Sequence, residues 1–325
     1  MWSQFYQRLE SKARRLIDPL TGHVDRRYVK SVPCPLCGMI DTAPRVQRDG
    51  FDYVTCNRCS FVYINPQLTQ QAILNVYNDE DVRRFFLEQL LLPYVERDQQ
   101  AEFEERALVL KSFVSNPKPR LLDIGCALGN FLLMAEKIGF QGEGLELNKL
   151  YVDYAKQHRS VTIRQQLLED MHYPDNAFDV VTLWDVLEHL PKPLDTLKDV
   201  ARVVSPGGII GITTINHSCV NEKILKDRWR YYMPPDHLCS FTPEILESIL
   251  NRCGFTIVKL RHHYMFEVLA DHYFRFLNSS NSTNPVRNSI GKVKKLVYIL
   301  LAQSTQFLFN RLRSGDLLTV YARKL

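Results

Sequence analysis

The chain has 325 residues, of which 45% are hydrophobic and 24% charged, and its formal net charge is +5. This is the composition of an ordinary globular protein that is long enough for more than one domain, and its weakly basic balance does not by itself indicate nucleic-acid binding. The N-terminal residues lack the features of a secretory signal, and no apolar run reaches the roughly 18 residues of a membrane span, so a cytoplasmic protein is expected.

The first 30 residues carry apolar side chains at helical spacing, with arginines between them. The pattern ends near Asp18-Pro19, because the residue before a proline disfavours the helical conformation. Residues 1–30 are therefore predicted to contain a helix that packs on the rest of the chain.

Two pairs of cysteines follow in the segment 31–66. Cys34, Cys37, Cys56 and Cys59 form a C-x₂-C…C-x₂-C pattern with strand-like runs between and after the pairs. This spacing is typical of zinc sites, and four cysteines leave no open coordination position for catalysis. The segment 31–66 is therefore predicted to be a small zinc-ribbon-like module with one structural Zn²⁺. Two disulfides are the alternative, which a cytosolic setting disfavours.

Residues 67–117 are predicted to be helical and to end in a long Glu/Arg-rich helix. From residue 118 the pattern changes to alternating strands and helices, which favours an α/β fold with a parallel sheet covered on both faces. Strands are predicted at 120–124, 141–146, 160–164, 178–184, 208–215 and 255–262, and helices near 129–138, 148–158, 190–203 and 242–252. A ligand is expected outside the carboxyl ends of the strands.

The segment 120–133 is predicted to form a strand, a tight turn and the beginning of a helix. Small residues in the turn allow close approach of the backbone to a ligand, and free N–H groups at a helix start favour electron-rich groups. Glu146 ends the next strand, where an acid can hold a ribose diol. A dinucleotide fingerprint requires a small residue at 130, where this chain has Asn130, and so a dehydrogenase is disfavoured.

Further motifs continue this order along the chain. They are Asp123-x-Gly125-x-Ala127-x-Gly129, Glu146, Phe178-Asp179-Val180-Val181, Asp185-Val186-Leu187-Glu188-His189-Leu190 and Arg202-Val203-Val204-Ser205-Pro206-Gly207-Gly208. The series resembles the class I S-adenosylmethionine (SAM)-dependent methyltransferases over roughly residues 118–263, with Ala127 in place of the middle glycine.

The resemblance implies a doubly wound, Rossmann-like sheet of seven strands, with the last strand antiparallel and formed by residues near 317–324. The methyltransferase domain then covers 118–325 with a helical insertion at about 264–315, and the helices of 67–117 form a lid. Four aromatic residues of that lid are candidates to cover the substrate or the methionine part of SAM, and these are Tyr77, Phe85, Phe86 and Tyr94.

The same resemblance implies a set of SAM-binding residues. The turn containing Gly125, Cys126, Ala127 and Gly129 is expected to wrap the methionine and ribose, with Asp123 supporting the turn through hydrogen bonds. Glu146 is expected to bind the ribose hydroxyls and Leu147 to flank adenine. The remaining candidates are Gln166 and Leu168 near the adenine amine, and Trp184 and Asp185 near the methionine end.

Two histidines are candidates for a general base, because an imidazole titrates near neutral pH. His237 lies in an aromatic, proline-containing loop after the fifth strand, where Asp236 can orient it. His189 follows the fourth strand, and supporting the loop there is an equally good interpretation of its role. Asn216 and His217, at the end of the fifth strand, are further candidates to face the substrate.

The sequence therefore predicts a SAM-dependent methyltransferase acting on a small molecule, preferably by O-methylation of a sugar or glycan. The alternatives are a quinone-type or aromatic O-methyltransferase and, in a different class, an RNA methyltransferase or nucleic-acid binder that uses the ribbon. No nucleic-acid partner is expected, because the ribbon lacks interleaved basic and aromatic residues. The basic, apolar segment 292–313 is a candidate for peripheral membrane contact, with a cleft cover or homodimer interface as the competing interpretation.

Overall fold

A computed structural model describes residues 2–93, 99–265, 308–309 and 311–325. The helices are α1 (Trp2–Ala13), α2 (Gln70–Tyr77), α3 (Glu80–Phe86), α4 (Gln99–Phe113), α5 (Asn130–Lys137), α6 (Lys149–His158), α7 (Pro193–Val203), α8 (Val220–Leu225) and α9 (Pro243–Arg252). The strands are β1 (Val29–Lys30), β2 (Thr42–Arg48), β3 (Phe51–Cys56), β4 (Val62–Ile64), β5 (Gln67–Leu68), β6 (Arg120–Ile124), β7 (Gln141–Leu145), β8 (Thr162–Arg164), β9 (Phe178–Trp184), β10 (Val204–Ile215), β11 (Cys239–Ser240), β12 (Phe255–His263) and β13 (Leu317–Lys324).

The larger sheet has seven strands in the order β12-β13-β10-β9-β6-β7-β8. Strands β6 to β10 pair in parallel, whereas β13 is antiparallel to both β10 and β12. The predicted seven-stranded, doubly wound sheet with an antiparallel last strand is confirmed. The chain leaves β6 towards β7 and β8 and then returns to β9 on its other side, which creates a crevice at the carboxyl ends of these strands.

Element ends follow local chemistry. Strand β10 begins at Val204, earlier than the predicted residue 208, because Val204 already pairs with Phe178 before an irregularity precedes Ile209. Helix α7 begins at Pro193 rather than 190, with the proline in its first turn, where a missing N–H does no harm. Helix α9 has the predicted cap, in which Thr242 accepts a hydrogen bond from the amide of Ile245.

The cysteine segment folds into a second sheet, of four strands in the order β11-β4-β3-β2. Three of these strands come from residues 42–64, but β11 comes from the segment that follows β10. Some of the module's buried side chains, including Phe61 and Tyr63, belong to one hydrophobic cluster with Phe241 and the core of the larger sheet. Others, including Tyr53 and Ile64, belong to a second cluster with Tyr232 and Leu238. The module is thus built into the protein through both its backbone and its core.

The N-terminal helix packs on the lid, as expected. Phe5 and Leu9 of α1 are buried against Val82 and Leu90. The predicted lid is helical in the described residues, while Tyr94 lies outside them. Most of the predicted insertion 264–315 and of the membrane-contact segment 292–313 also lies outside the described residues. Among the helices that the structure describes, none has the length and apolar character required to cross a bilayer.

Candidate active site

The turn after β6 depends on two glycines in the left-handed region. Gly125 has φ 69° and Gly129 has φ 71°. A Cβ on Gly125 would lie 2.6 Å from Val186 Cγ2, and a Cβ on Gly129 would lie 2.7 Å from Val161 Cγ2. These positions therefore require glycine for backbone conformation and for packing against the protein itself, in addition to the predicted approach of a ligand.

Glu146 joins this turn to the next strand. Its Oε2 accepts a hydrogen bond from the amide of Ala127 at 3.1 Å, while Oε1 accepts from the amide of Asn148 at 2.7 Å and from the hydroxyl of Tyr77 at 3.0 Å. Burial raises the pKa of Glu146, against the opposing effect of these hydrogen bonds. Glu146 is thus held directly beside the turn, where its expected contact with ribose stays a prediction. Tyr77, a predicted lid residue, reaches the same carboxylate.

Asp123 makes a different contact from the one expected. Its Oδ1 accepts a hydrogen bond from Thr182 Oγ1 at 2.6 Å, and Thr182 is its cross-strand neighbour on β9. The carboxylate that binds the turn is that of Glu146, whereas Asp123 ties β6 to β9. Burial raises the pKa of Asp123 to about 7, because a low-dielectric site disfavours the charged form.

Trp184 and Asp185 diverge at the end of β9. The Trp184 ring packs edge-on against Phe131 with centroids 5.4 Å apart and lies under the guanidinium of Arg106 at 4.6 Å. Its side chain therefore belongs to the layer between the sheet and α4. Asp185 is exposed and has a left-handed backbone conformation with φ 56°. Their predicted contacts with the methionine end stay predictions.

The expected adenine-side residues are spread between core and surface. Leu168 is buried in the main hydrophobic cluster, and Gln166 is exposed. Leu147 is half-buried, and its carbonyl accepts a hydrogen bond from Gln165 Nε2 at 3.2 Å. Cys126 is also buried, and its amide donates to the carbonyl of Leu145 at 3.0 Å. These backbone ties order the loop, and the adenine contacts stay predictions.

The four module cysteines come together as the spacing predicted. Cys34 Sγ lies 3.5 Å from Cys59 Sγ, and Cys37 Sγ lies 3.5 Å from Cys56 Sγ, with all four sulfurs within 4.8 Å of one another. A disulfide has sulfurs about 2.05 Å apart, whereas thiolates about 2.3 Å from one tetrahedral zinc lie roughly 3.8 Å apart. All four thiols are free, and their arrangement fits a single tetrahedral ion.

The side of the site that is predicted to meet the acceptor, called the acceptor side below, contains a cluster of Glu188, His189 and His237. Their ligand atoms lie within 4.8 Å of one another. His189 Nδ1 donates to the carbonyl of Asp236 at 2.8 Å, and His237 Nδ1 donates to the carbonyl of Tyr231 at 2.8 Å. Because a carbonyl only accepts, each neutral ring carries its proton on Nδ1 and presents Nε2 as an acceptor. Such a group can take a proton or hold a divalent cation.

Burial shifts the pKa values of two members of this cluster, His237 and Glu188. It lowers the pKa of His237 to about 4 and raises the pKa of Glu188 to about 7, while Glu188 also accepts a hydrogen bond from Thr214 Oγ1 at 2.8 Å. His237 is therefore neutral at pH 7, which is the form that a general base requires. The structure brings the two candidate histidines together, with ring centroids 4.9 Å apart.

Asp236 does not orient His237 through its carboxylate. Its Oδ1 accepts from Arg83 Nη2 at 2.6 Å, and both side chains are only 7% exposed. The Arg83 guanidinium opposes the desolvation of Asp236 and holds the pKa of that carboxyl well below its usual range. A buried carboxylate needs such a partner. The group that orients the His237 ring is the carbonyl of Tyr231.

Asn216 and His217 serve the scaffold in this structure. Asn216 Nδ2 donates to the carbonyl of Gly315 at 2.7 Å, and His217 Nδ1 lies 3.1 Å from Ser240 Oγ. The nearby carboxylate of Asp316 is fully buried and accepts from Trp229 Nε1 at 3.0 Å. These bonds fasten the segment after β10 to the beginning of β13.

Several residues of the site were missed by the sequence reasoning. Arg83 and Tyr53, far upstream in the chain, contact the loop of residues 229–238, which we call the acceptor loop. Arg106 of the lid lies over the ring of Trp184. None stands in a motif. Two arginines, Arg83 and Arg84, stand among the apolar and aromatic residues after Asp81. They were the available signal, since an arginine that becomes buried there requires an acidic partner.

Comparisons with known proteins agree with this geometry. A family model described as "Methyltransferase domain" matches residues 94–260, which is just over half of the chain. The curated relatives include ubiquinone biosynthesis O-methyltransferases from Vibrio parahaemolyticus, 34% identical over 106 residues, and from Xanthomonas campestris pv. campestris, 32% identical over 111 residues. These matches cover 30% and 32% of this chain and 45% and 46% of the relatives, so the chain spans about half the length of the curated relatives it matches.

Solved structures resemble the chain more distantly. A SAM-dependent methyltransferase from Archaeoglobus fulgidus is 19% identical with a TM-score of 0.49, and the match covers 73% of this chain and 100% of that one. The [4+2]-cyclase SpnF is 21% identical with a TM-score of 0.45, and the match covers 68% and 80% of the two chains. The family match rests instead on the sequence of residues 94–260, which contains the turn, Glu146 and the strands that carry them. The chain belongs to this methyltransferase domain family, and its strand order is that of the class I, SAM-dependent members.

Proposed function

We propose that the protein transfers the methyl group of SAM to a hydroxyl of a small-molecule acceptor, with a sugar or glycan as the preferred class and His237 as the general base. SAM, when bound, supplies an electrophilic methyl group. The residues present suit it, because Glu146 after β7 can accept ribose hydroxyls and the exposed Asp185 follows β9, with β6 and its glycine turn between these two strands. The protein has to align donor and acceptor and to accept one proton.

One observation carries the proposal for the base. His237 is 6% exposed, its Nδ1 proton is engaged by the Tyr231 carbonyl, and its pKa is lowered to about 4. The ring is thus neutral at pH 7 and leaves Nε2 as the atom that can accept a proton. Because its lowered pKa makes it a weak base, the proton has to leave the acceptor hydroxyl as the methyl group bonds to the oxygen and makes that hydroxyl more acidic. His189, which donates to the Asp236 carbonyl, then serves to hold the acceptor loop.

A quinone-type or phenolic acceptor is the second candidate. The curated relatives are named as ubiquinone biosynthesis O-methyltransferases, and their similarity covers about a third of this chain. A phenol loses its proton more readily than an alcohol, so such an acceptor would depend less on a strong base. The two classes therefore predict different sensitivities to loss of His237.

The test uses the purified full chain with SAM and two acceptor panels, one of free and nucleotide-linked sugars and one of catechols and quinols. Formation of the demethylated product is followed, and the product mass identifies the methylated class. Turnover confined to the sugar panel supports the first proposal, and turnover confined to phenols supports the second. Calorimetry that finds binding of NAD but not of SAM would contradict both. Repeating the assay with EDTA, under conditions in which metal analysis shows that the cysteine cluster keeps its zinc, shows whether a cation held by Glu188 and the histidines takes part.

The metal proposal is separate. We propose that Cys34, Cys37, Cys56 and Cys59 hold one structural Zn²⁺. The four sulfurs lie within 4.8 Å of one another, and four thiolates that close together require a cation between them to offset their mutual repulsion. Metal analysis of protein purified without added zinc should find about one equivalent.

A further inference from the structure

The cysteine module and the acceptor loop share one β-sheet. Strand β11 begins two residues after His237, and Cys239 and Ser240 pair with Tyr63 and Val62 of β4. The ladder extends one residue closer to the histidine, because the amide of Ile64 donates to the carbonyl of Leu238 at 2.9 Å. The backbone that follows His237 is thus the outer strand of the module.

A buried side chain of the module reaches His237 itself. The hydroxyl of Tyr53, on β3, donates to the backbone carbonyl of His237 at 2.8 Å. Tyr53 is 1% exposed, and its ring lies against that of Tyr232 with centroids 4.8 Å apart. Since burial also raises the pKa of Tyr53 well above its usual value, the hydroxyl remains a donor throughout the working pH range.

A second contact from the module fixes the other end of the loop. Arg45 Nε on β2 donates to Tyr232 Oη at 2.7 Å, and Arg45 Nη2 donates to Glu222 Oε1 at 2.8 Å. Tyr232 also donates to Glu222 at 2.9 Å. The loop is therefore held by β2 before His237, by Tyr53 at His237 and by β4 after it.

We propose that Tyr53 is a positioning residue for His237 and that the cysteine module is a structural part of the acceptor site instead of a separate binding domain. The inference rests on the proposed function for the role of His237 as a base. Its geometric content, that the module sets the position and burial of the His237 ring, is independent of which acceptor is methylated.

The consequence of losing the Tyr53 hydroxyl follows from its contact. The His237 carbonyl would be left without its buried donor, so the loop would shift or admit water. Water beside the ring reduces the desolvation that now lowers its pKa. The other groups that act on the ring remain in place, and these are His189, Glu188, Asp236 with its partner Arg83, Arg230 and Tyr231.

The experiment compares the full-length wild type with Y53F and with the matched control Y63F. Tyr63 is buried in the adjacent strand β4, and its hydroxyl has no hydrogen-bond partner among the described residues. Exchange of the imidazole C2 hydrogen, followed by mass spectrometry across pH, reports the pKa of His237. Amide exchange reports the opening of segment 231–240, and calorimetry with SAM reports the cofactor side. All three measurements need no acceptor.

In Y53F the pKa of His237 should rise from about 4 towards the ordinary value of about 6.5. Amide exchange in 231–240 should accelerate about tenfold, the factor that corresponds to one net hydrogen bond. SAM affinity should stay unchanged, and Y63F should match the wild type in all three. The inference would be overturned if the pKa of His237 were unchanged in Y53F, or if the pKa and the amide exchange changed equally in Y53F and Y63F. Failure of the acceptor assay alone would instead count against the proposed function, because it leaves these measurements untouched.

Discussion

The cofactor side and the acceptor side of this site are built by different means. On the cofactor side Glu146 binds the turn through Ala127, a partner 19 residues away in sequence. On the acceptor side the loop of Asp236 and His237 is held by Arg83 and Tyr53, from 153 and 184 residues away. The turn on the cofactor side is thus held by a residue nearby in sequence, with one further bond to Glu146 from Tyr77 of the lid. The acceptor side is held mainly by residues that lie far upstream in the chain. Changes should therefore separate into those that affect SAM binding and those that affect the acceptor geometry.

Metal removal should give the largest effect on the acceptor side. We expect C37S to lose the bound zinc, whose apparent contribution in small metal-folded domains is about 10–16 kcal/mol. Because strands β6 to β9 pair with one another and not with strands of the module, that part of the protein should stay folded and still bind SAM. Metal analysis, calorimetry with SAM and amide exchange at 231–240 check this, with C253S as the control at a cysteine outside the cluster. Loss of SAM binding in step with the zinc would contradict the separation of the two sides.

Loss of the base should affect turnover alone. We expect H237Q to reduce turnover by about 10²–10⁴ while SAM affinity stays nearly constant. The wild-type rate should hold from pH 8 down to about pH 5, because the neutral form of His237 persists above its pKa of about 4. The exposed His158 provides the control H158Q. Full turnover of H237Q across pH 6–9, with the acceptor found in the panels, removes His237 from the mechanism.

Breaking the lid contact should reduce stability. In R83M the carboxylate of Asp236 remains buried without its cation, which typically costs about 3–5 kcal/mol. Chemical denaturation measures the change, and the double variant R83M/D236N should recover part of the loss because no charge is then left unpaired. An R83M protein as stable as the wild type would show that Asp236 finds another partner or water.

The smallest expected effect is on the cofactor side. E146Q keeps the shape of the side chain, but its NH₂ group would face the amides of Ala127 and Asn148 or the ribose hydroxyls, where the carboxylate accepts hydrogen bonds. SAM should therefore bind more weakly by about 1–3 kcal/mol. The control E143Q changes an acid in the middle of β7, three residues before Glu146. The pKa of His237 should be unaltered in both variants. A shift of that pKa in E146Q would mean that Tyr77 and Arg83 of the lid couple the two sides.

The sequence was sufficient for features that depend on neighbours along the chain. The glycine turn and the acid at Glu146 follow from local patterns, and the structure confirms the seven-stranded sheet that the family resemblance implied. The role of Asp236 could not be foreseen, because its partner Arg83 is known only after the lid has packed. The placement of Trp184 was hidden for the same reason, since Arg106 and Phe131 meet it from separate helices. The types of the residues were visible in the sequence, but the contacts between residues far apart along the chain were not.

The position of β13 has a consequence for the order in which the protein acquires its structure. Strand β12 has its ladder with β13, so it cannot join the sheet until residues 317–324 have been synthesised. Strands β6 to β9 can pair before residues 317–324 are synthesised, because all their pairings with one another lie within residues 120–184. On the ribosome, the half that recognises the donor can assemble early. The half that meets the acceptor has to wait for Asp316 and β13, so a nascent chain should bind SAM before it can catalyse any reaction.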